Sequence, residues 1–229
     1  MLRTSMRCGA LMRLLILLLV SACSASATQR ARTVGAGKVQ VGLEPGLGTD
    51  LPATEEPVRP GLDVAIRVGA TDRFDVGVRV GTSQAQLQTK LQLTDNEGVI
   101  VSVAPQLATK GFGVYAAAHI DTGPVRSTTV GLPVLLDLPT TERSAIVLGP
   151  TVQYSFLSSP TDMSPHWIHA GGSVGYAASF GGSFTLLPDV GVLQGICCDT
   201  PEQITPPTSS AYRIVQVRLG FLFGQTFAE

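Results

Sequence analysis

The sequence feature that most constrains the fold is an alternation of apolar and polar residues with a period of two. It is clearest over 84–93, where Ala85, Leu87, Leu91 and Leu93 alternate with glutamines and one lysine. Successive side chains of a β-strand point to opposite faces, so the pattern predicts strands with one apolar and one polar face. No amphipathic helical pattern competes, and we predict an all-β fold. Comparable segments are 38–44, 62–68, 74–81, 98–107, 111–121, 127–138, 145–157, 166–178, 183–193 and 211–223.

Two architectures fit such strands, and they differ in what the apolar face contacts. A soluble β-sandwich buries that face in its core, whereas a transmembrane barrel turns it to lipid and encloses the polar face. The polar face here is rich in Gln, Gly, Ser and Arg, and only 14% of the residues are charged. Most segments are close to the 9–11 residues that a tilted strand needs to cross a bilayer. We therefore expect an antiparallel up-and-down β-barrel of about 10–12 strands that spans a membrane. The eleven segments found in the sequence conflict with the even number of strands that is usual in such barrels.

The interior and the two rims of this barrel can be assigned from the same alternation. We expect Arg67, Arg79, Arg218, Asp63, Asp75 and the row Gln84–Gln92 to face a lumen that is plugged or admits only small solutes. Aromatic residues near segment ends are expected to form interfacial girdles. They are Phe74, Phe112, Tyr154, Phe156, Trp167, Phe184 and Tyr212. The proline-rich stretches 45–60 and 194–210 are predicted as long loops, which an odd strand count places at opposite ends.

The N-terminus has the pattern of a secretory signal. Arg3, Arg7 and Arg13 precede the apolar run 14–20, and no acidic residue interrupts them. This run is too short to span a membrane. The sequence Val20-Ser21-Ala22-Cys23 resembles the lipobox of bacterial lipoproteins, and the resemblance implies cleavage before Cys23 and lipidation of its thiol. The alternative is an ordinary signal cut near Ala22 or Ala25.

These observations predict four parts of the chain. Residues 1–22 form the signal peptide, 23–36 a lipidated N-terminus and flexible tether, 37–224 the barrel, and 225–229 a C-terminal tail. The mature chain would carry a formal charge of −4, because the signal removes three of the sixteen basic residues and none of the seventeen acidic ones. A mildly acidic chain argues against binding nucleic acid, which requires a basic face.

The body of the chain resembles small bacterial outer-membrane β-barrel proteins in its periodicity and composition. In that family the last strand often carries a signature that Arg218, Gly220 and Phe223 match, although Gln225 stands where a terminal aromatic residue is expected. The resemblance implies that the protein inserts into the outer membrane, contacts membrane lipid and uses the barrel-assembly machinery as a partner.

Candidate catalytic and metal-binding residues are sparse. His166 and His169 are three apart, so on a strand their imidazoles would face opposite sides and could not share a metal ion. His119 and Asp121 share a face, but no nucleophile accompanies them; Ser127 lies across a turn. We predict no enzyme activity, no cofactor and no metal site.

Cys197 and Cys198 are adjacent in a stretch predicted as an irregular loop. Adjacent Cα atoms lie about 3.8 Å apart, shorter than the usual 4.4–6.8 Å of a disulfide. A strained vicinal disulfide, two free thiols and links to another chain all remain open. We expect a vicinal disulfide or free thiols, with a structural role.

Together these features predict a lipid-anchored outer-membrane β-barrel with a structural or interaction role, or one that acts as a narrow pore. The alternative is a soluble periplasmic β-sandwich lipoprotein that binds a ligand or partner.

Overall fold

The computed structural model describes residues 28–51, 58–81, 84–94, 98–111, 126–158, 166–199 and 213–224. These residues form twelve β-strands, and none of the elements they form is a helix that could cross a membrane. The strands are β1 (Val39–Leu51), β2 (Arg59–Thr71), β3 (Phe74–Gly81), β4 (Gln84–Gln92), β5 (Ile100–Val103), β6 (Gln106–Gly111), β7 (Arg126–Thr141), β8 (Ser144–Leu148), β9 (Thr151–Ser158), β10 (His166–Phe180), β11 (Phe184–Asp199) and β12 (Arg213–Phe223).

The strands form one closed antiparallel barrel. β1 pairs with β2 on one side and with β12 on the other, which closes the sheet. β5 and β6 both lie between β4 and β7, and β8 and β9 both lie between β7 and β10. Each of these pairs fills one position in the wall, so the twelve strands fill ten positions, and the predicted barrel is confirmed. The sandwich alternative is wrong, because a single sheet closes on itself.

Prolines explain why two wall positions are each split into two strands. Ala104-Pro105 separates β5 from β6, and Gly149-Pro150 separates β8 from β9. Proline has no N–H to give to the ladder, yet the carbonyls of Pro105 and Pro150 accept hydrogen bonds from Thr89 and Val134. The wall therefore continues through both interruptions. The eleven strand segments counted from the sequence do not match the ten wall positions. Residues 98–111 contribute one position, through β5 and β6. Beyond Gly111, the segment predicted at 111–121 lies outside the described residues.

The ten positions give the barrel two different ends. At one end, β2–β3, β7–β8 and β10–β11 are joined by 72–73, 142–143 and 181–183, and the chain enters β1 and leaves β12. We call this the short-turn end. The connection 93–99 between β4 and β5 also lies at this end. At the other, the long-loop end, β3 and β4 are joined by 82–83, and the longer connections are 52–58, 112–125, 159–165 and 200–212. Outer-membrane barrels have this asymmetry, with short periplasmic turns and longer extracellular loops.

This arrangement corrects the expected loops. The connection 200–212 lies at the same end as 52–58, whereas an odd count had placed the two at opposite ends. Both loops are also shorter than predicted. β1 continues through Pro45 to Leu51, and β2 begins before Pro60, because the φ of proline is compatible with extended backbone.

The outer surface is apolar, as the alternation predicted. Leu87 and Leu91 are 49% and 43% exposed, whereas Gln86 and Gln88 of the same strand are 7% and 4% exposed. Among residues whose exposure is described, the exposed charged ones lie only in turns or at strand ends; they are Lys38, Asp72, Arg73, Glu142, Arg143 and Arg213. The core of the molecule is therefore its polar lumen, with smaller apolar clusters such as Val147, Ala177, Leu187 and Leu222.

Candidate functional site in the barrel lumen

Residues 28–36, here called the plug segment, lie in the lumen. Thr28, Gln29 and Arg30 are 0%, 2% and 5% exposed. The flexible tether expected over 23–36 is therefore replaced, over 28–36, by a segment fixed to the inner wall. Residues 23–27, including the expected lipidation site Cys23, lie outside the described residues.

Three glycines let the chain turn from β1 into the lumen. Gly35 and Gly37 have φ angles of +92° and +70°, in the region that glycine adopts without a steric penalty. The Gly37 N–H donates to the carbonyl of Gly69 over 2.8 Å. A Cβ on Gly69 would stand 1.9 Å from the Gly35 carbonyl oxygen, so only glycine permits this approach.

Asp137 of β7 holds the middle of the plug segment. Its Oδ2 lies 3.0 Å from Nε of Arg30, and its Oδ1 accepts a hydrogen bond of 2.9 Å from the Ala31 N–H. The Asp137 side chain is fully buried, and that of Arg30 is 5% exposed. A buried charge is costly unless it is paired and hydrogen-bonded, and this pair satisfies both conditions.

Asp75 and Lys90 hold the segment from the β3–β4 side. The two oxygens of Asp75 accept from the Val34 N–H at 3.0 and 3.1 Å. Lys90 Nζ lies 2.9 Å from Asp75 and also donates to the carbonyls of Arg30 and Arg32, at 3.2 and 2.8 Å. The wall thus supplies partners to backbone groups that would otherwise be buried without any.

The glutamine row of β4 contacts the plug segment directly. Gln88 donates to the side-chain oxygen of Gln29 over 2.7 Å, and the Oε1 of Gln92 accepts from the Thr33 N–H over 3.0 Å. These amides offer both donors and acceptors. The prediction that the row faces the lumen is confirmed.

Glu44 of β1 lies at the centre of a cluster of three arginines. Its Oε2 accepts from the Thr28 hydroxyl at 2.7 Å and lies 2.9 Å from Arg79. Arg67 and Arg218 lie 3.5 and 3.7 Å from the same carboxylate. Arg218 also pairs with Asp63, and Arg79 donates to the Thr28 hydroxyl over 2.9 Å. The predicted lumen positions of these arginines and aspartates are confirmed.

The described charges of the inner wall leave one carboxylate in excess. Four cations face the lumen from the strands, against five carboxylates, and Arg30 of the plug segment supplies the missing charge at Asp137. The cations are Arg67, Arg79, Lys90 and Arg218, and the carboxylates are Glu44, Asp63, Asp75, Asp137 and Asp189. The wall is therefore electrostatically matched to a segment that carries one buried arginine.

The remaining predicted site residues fall in three places. His166 lies 5.8 Å from the outward Tyr154 ring, whereas His169 is 5% exposed, so the two imidazoles point to opposite faces as predicted. No cluster of metal-ligating side chains occurs among the described residues. His119 and Asp121 lie outside them.

Cys197 and Cys198 belong to β11 and not to an irregular loop. Their backbones pair with Ile168 and Trp167 of β10. Whether the two thiols are free or joined stays a prediction.

Sequence reasoning missed the plug segment itself. One signal was present: among the described lumen-facing side chains of the strands, acids exceed bases by one, while Arg30 and Arg32 precede the pair Gly35 and Gly37. An excess of buried carboxylate favours a cation from elsewhere in the chain, because an unpaired buried charge is costly. The nearest supply in sequence is this segment.

Several solved barrel structures are similar to this chain. Neisserial surface protein A shares 10% identity over 81% of this chain and 95% of its own, with a TM-score of 0.42. The translocator domain of the autotransporter NalP from Neisseria meningitidis shares 10% identity over 82% and 88%, with a TM-score of 0.43. Ail, the attachment invasion locus protein of Yersinia pestis, shares 10% over 84% and 99%, with a TM-score of 0.30. No protein-family model and no curated protein sequence matches the chain.

Proposed function

We propose that this protein is an outer-membrane β-barrel, anchored by a lipid on Cys23 and closed at rest by its own plug segment. Its role is then structural or that of an interaction partner in the envelope, and no enzyme activity is assigned. The observation that carries the proposal is the combination of an apolar outer wall with a charged lumen that the chain itself occupies.

The outer wall supports insertion into a bilayer. Large aliphatic side chains from every side of the barrel are 40–59% exposed, among them Leu43, Ile66, Leu132 and Val174. A soluble monomer rarely exposes an apolar patch beyond about 300–600 Å², and here the apolar surface surrounds the whole wall. Lipid is the solvent that such a surface requires.

Aromatic residues occupy both ends of this apolar surface. Tyr154 and Phe156 lie toward the long-loop end with ring centroids 6.3 Å apart, and Phe180, Phe184 and Phe223 cluster at the short-turn end. From Ile168, the partner of Tyr154, strand β10 runs twelve residues to Phe180. At about 3.3 Å per residue and a tilt of about 40°, this is roughly 30 Å along the barrel axis. That separation suits aromatic girdles at two membrane interfaces.

The plug segment supports closure. It holds its place by hydrogen bonds and ion pairs to β1, β2, β3, β4 and β7, most of them buried. A ten-position barrel is only slightly wider than an eight-stranded barrel, whose interior side chains fill. One added segment therefore occupies much of the space.

A gated narrow pore is the second candidate function. The plug segment is continuous with β1 and otherwise contacts the wall largely through polar groups, which water can replace. Its withdrawal would leave a polar lumen lined by charged side chains.

Planar-bilayer recording tests the proposal, with membrane fractionation beside it. The protein should sediment with the outer membrane and migrate differently on a gel before and after heating. Purified wild-type protein should show little conductance, and deletion of 28–36 should produce steady openings. Wild-type openings of the same size and frequency as those of the deletion variant would contradict closure by the plug segment, and recovery in the soluble fraction would contradict membrane insertion.

A further inference from the structure

Asp137 differs from other carboxylates of the lumen in the source of its partners. Glu44 lies 2.9 Å from Arg79 and Asp75 lies 2.9 Å from Lys90, so the wall itself supplies a cation to each of these two acids. Among the described residues, every hydrogen bond and ion pair of Asp137 comes instead from the plug segment. The described wall therefore gives this carboxylate no ion pair of its own once the segment withdraws.

Apolar side chains of the neighbouring strands surround Asp137. In the strand register it stands opposite Ile100 of β5 and Val147 of β8, which are 1% and 3% exposed. Residues directly opposite each other on one face have Cβ atoms about 4.5–5.5 Å apart. Leu135 shares the same face of β7 and is fully buried. A carboxylate in such surroundings is costly without a partner, so the site favours a cation whose remaining surface is apolar.

The plug segment itself shows which cation fits this site. Arg30 donates from Nε to Oδ2 of Asp137 over 3.0 Å. The next residue, Ala31, belongs to a buried apolar cluster with Ile100 and Leu135. A guanidinium is more weakly hydrated than an ammonium and binds carboxylates through several N–H groups, so it tolerates burial beside apolar side chains better. The segment thus places a guanidinium and a small apolar group on this patch together.

We propose that Asp137, with Ile100, Leu135 and Val147, is a binding site for a small alkylguanidinium solute, which Arg30 occupies while the barrel is closed. The solute binds only after Arg30 has left, so its binding favours withdrawal of the plug segment by mass action. The consequence that such a solute opens a pore rests on the gated narrow pore of the proposed function. The site itself rests only on the surroundings of Asp137.

Chemical rescue of the full chain in detergent tests the site. Arg30→Ala removes the natural occupant, and ethylguanidinium replaces the atoms that this substitution deletes, from Cγ to the guanidinium. Val34→Cys, in the Arg30 parent and in the variant, reports whether the segment is in place. Val34 is 5% exposed, and its bond to Asp75 uses the backbone N–H, which cysteine keeps. The rate at which a maleimide labels position 34 is measured by mass spectrometry.

Two changes in the labelling rate are expected. Arg30→Ala should be labelled at least about tenfold faster than the parent, because Asp137 is then buried without its cation. Ethylguanidinium at about ten times its half-saturating concentration should slow labelling of Arg30→Ala about tenfold. In the parent the same compound should speed labelling, since there it competes with Arg30.

Three controls identify what the site recognises. Ethylurea has a similar shape without charge and should leave the rate of Arg30→Ala unchanged. Ethylammonium should slow it much less than ethylguanidinium does, because an ammonium is more strongly hydrated. In Arg30→Ala/Asp137→Ala, ethylguanidinium should have no effect.

The site would be overturned by labelling of Arg30→Ala no faster than the parent, by absence of rescue, by rescue that persists without Asp137, or by equal rescue with ethylammonium or ethylurea. Unchanged or slower labelling of the parent would overturn the competition with Arg30. If Arg30→Ala yields no heat-modifiable barrel, ethylguanidinium present during refolding should restore it, and failure to do so would also count against the site. None of these measurements needs a membrane or a pore, so a soluble protein or a silent bilayer counts against the proposed function alone.

Discussion

Removal of Asp137 should release the plug segment while leaving the barrel assembled. Asp137 is fully buried on β7 and pairs with the buried Arg30, whose Nε lies 3.0 Å from its Oδ2. It also accepts the Ala31 N–H over 2.9 Å. In Asp137→Ala the buried guanidinium of Arg30 loses this carboxylate, and the Ala31 N–H loses its acceptor, for as long as the segment is in place. When the segment withdraws, water solvates them. The substitution therefore raises the free energy of the closed state, with the segment in the lumen, and leaves that of the open state unchanged.

The size of the effect follows from the burial of the pair. Breaking a buried ion pair by removing one partner costs about 3–5 kcal/mol. At about 1.4 kcal/mol per factor of ten, the ratio of open to closed molecules should rise by at least about a hundredfold. Asp72→Ala is the matched control, because Asp72 also accepts from a plug-segment N–H, that of Ala36 at 3.2 Å, but is exposed. An exposed hydrogen bond contributes about 0.5–1.5 kcal/mol, so the control should change the ratio by only about 2- to 12-fold.

Limited trypsin digestion measures this ratio. Arg30 and Arg32 are cleavage sites only when the segment leaves the lumen, and cleavage tracks the open population when opening and closing are fast relative to cleavage. Mass spectrometry would quantify cleavage after these two residues in detergent-solubilised protein. In Arg30→Ala/Asp137→Ala, cleavage after Arg32 should be slower than in Asp137→Ala, since the double variant removes both members of the Arg30–Asp137 ion pair. An Asp137→Ala rate no higher than that of Asp72→Ala would refute the assignment of Asp137 as the main hold on the segment.

Three further predictions concern the anchor, the outer wall and the cysteine pair. Cys23→Ala should abolish incorporation of labelled fatty acid and leave an uncleaved or mislocalised precursor; unchanged labelling would contradict the lipobox assignment. Leu87→Arg places a charge on the outer wall in the middle of β4, at a cost of about 2–4 kcal/mol at the bilayer midplane, so it should reduce heat-modifiable barrel in the membrane far more than Gln88→Arg, which faces the lumen; equal yields of the two variants would mean that lipid does not contact this face. Mild reductant followed by a thiol-specific mass tag should add two labels to the mature chain, at Cys197 and Cys198, with little change in the β-sheet circular dichroism signal, and loss of that signal on reduction would show that the pair is a stabilising cross-link.

The sequence alone determined the faces of the strands. Because the side-chain period of a strand is two, the glutamines at 84, 86, 88 and 92 had to share one face and Leu87 and Leu91 the other. The same rule separated His166 from His169 and assigned Arg67, Arg79 and Asp75 to the polar side. The composition of that side favoured a lumen over solvent, and closure of the sheet through the pairing of β1 with β12 decided between them.

Tertiary structure decided what the alternation does not encode. The number of wall positions depended on which strands share the same two neighbours. β5 and β6 both pair with β4 and β7, so they occupy one position although Pro105 separates them. The cysteine pair joined β11 because β10 offers backbone partners as far as His166. Residues 28–36 form neither a strand nor a helix, so no periodic pattern in the sequence marks them. Their position is set by contacts such as that of Arg30 with Asp137, 107 residues further along the chain. Such a segment takes its conformation from the wall around it, and its place becomes definite only once the barrel has closed.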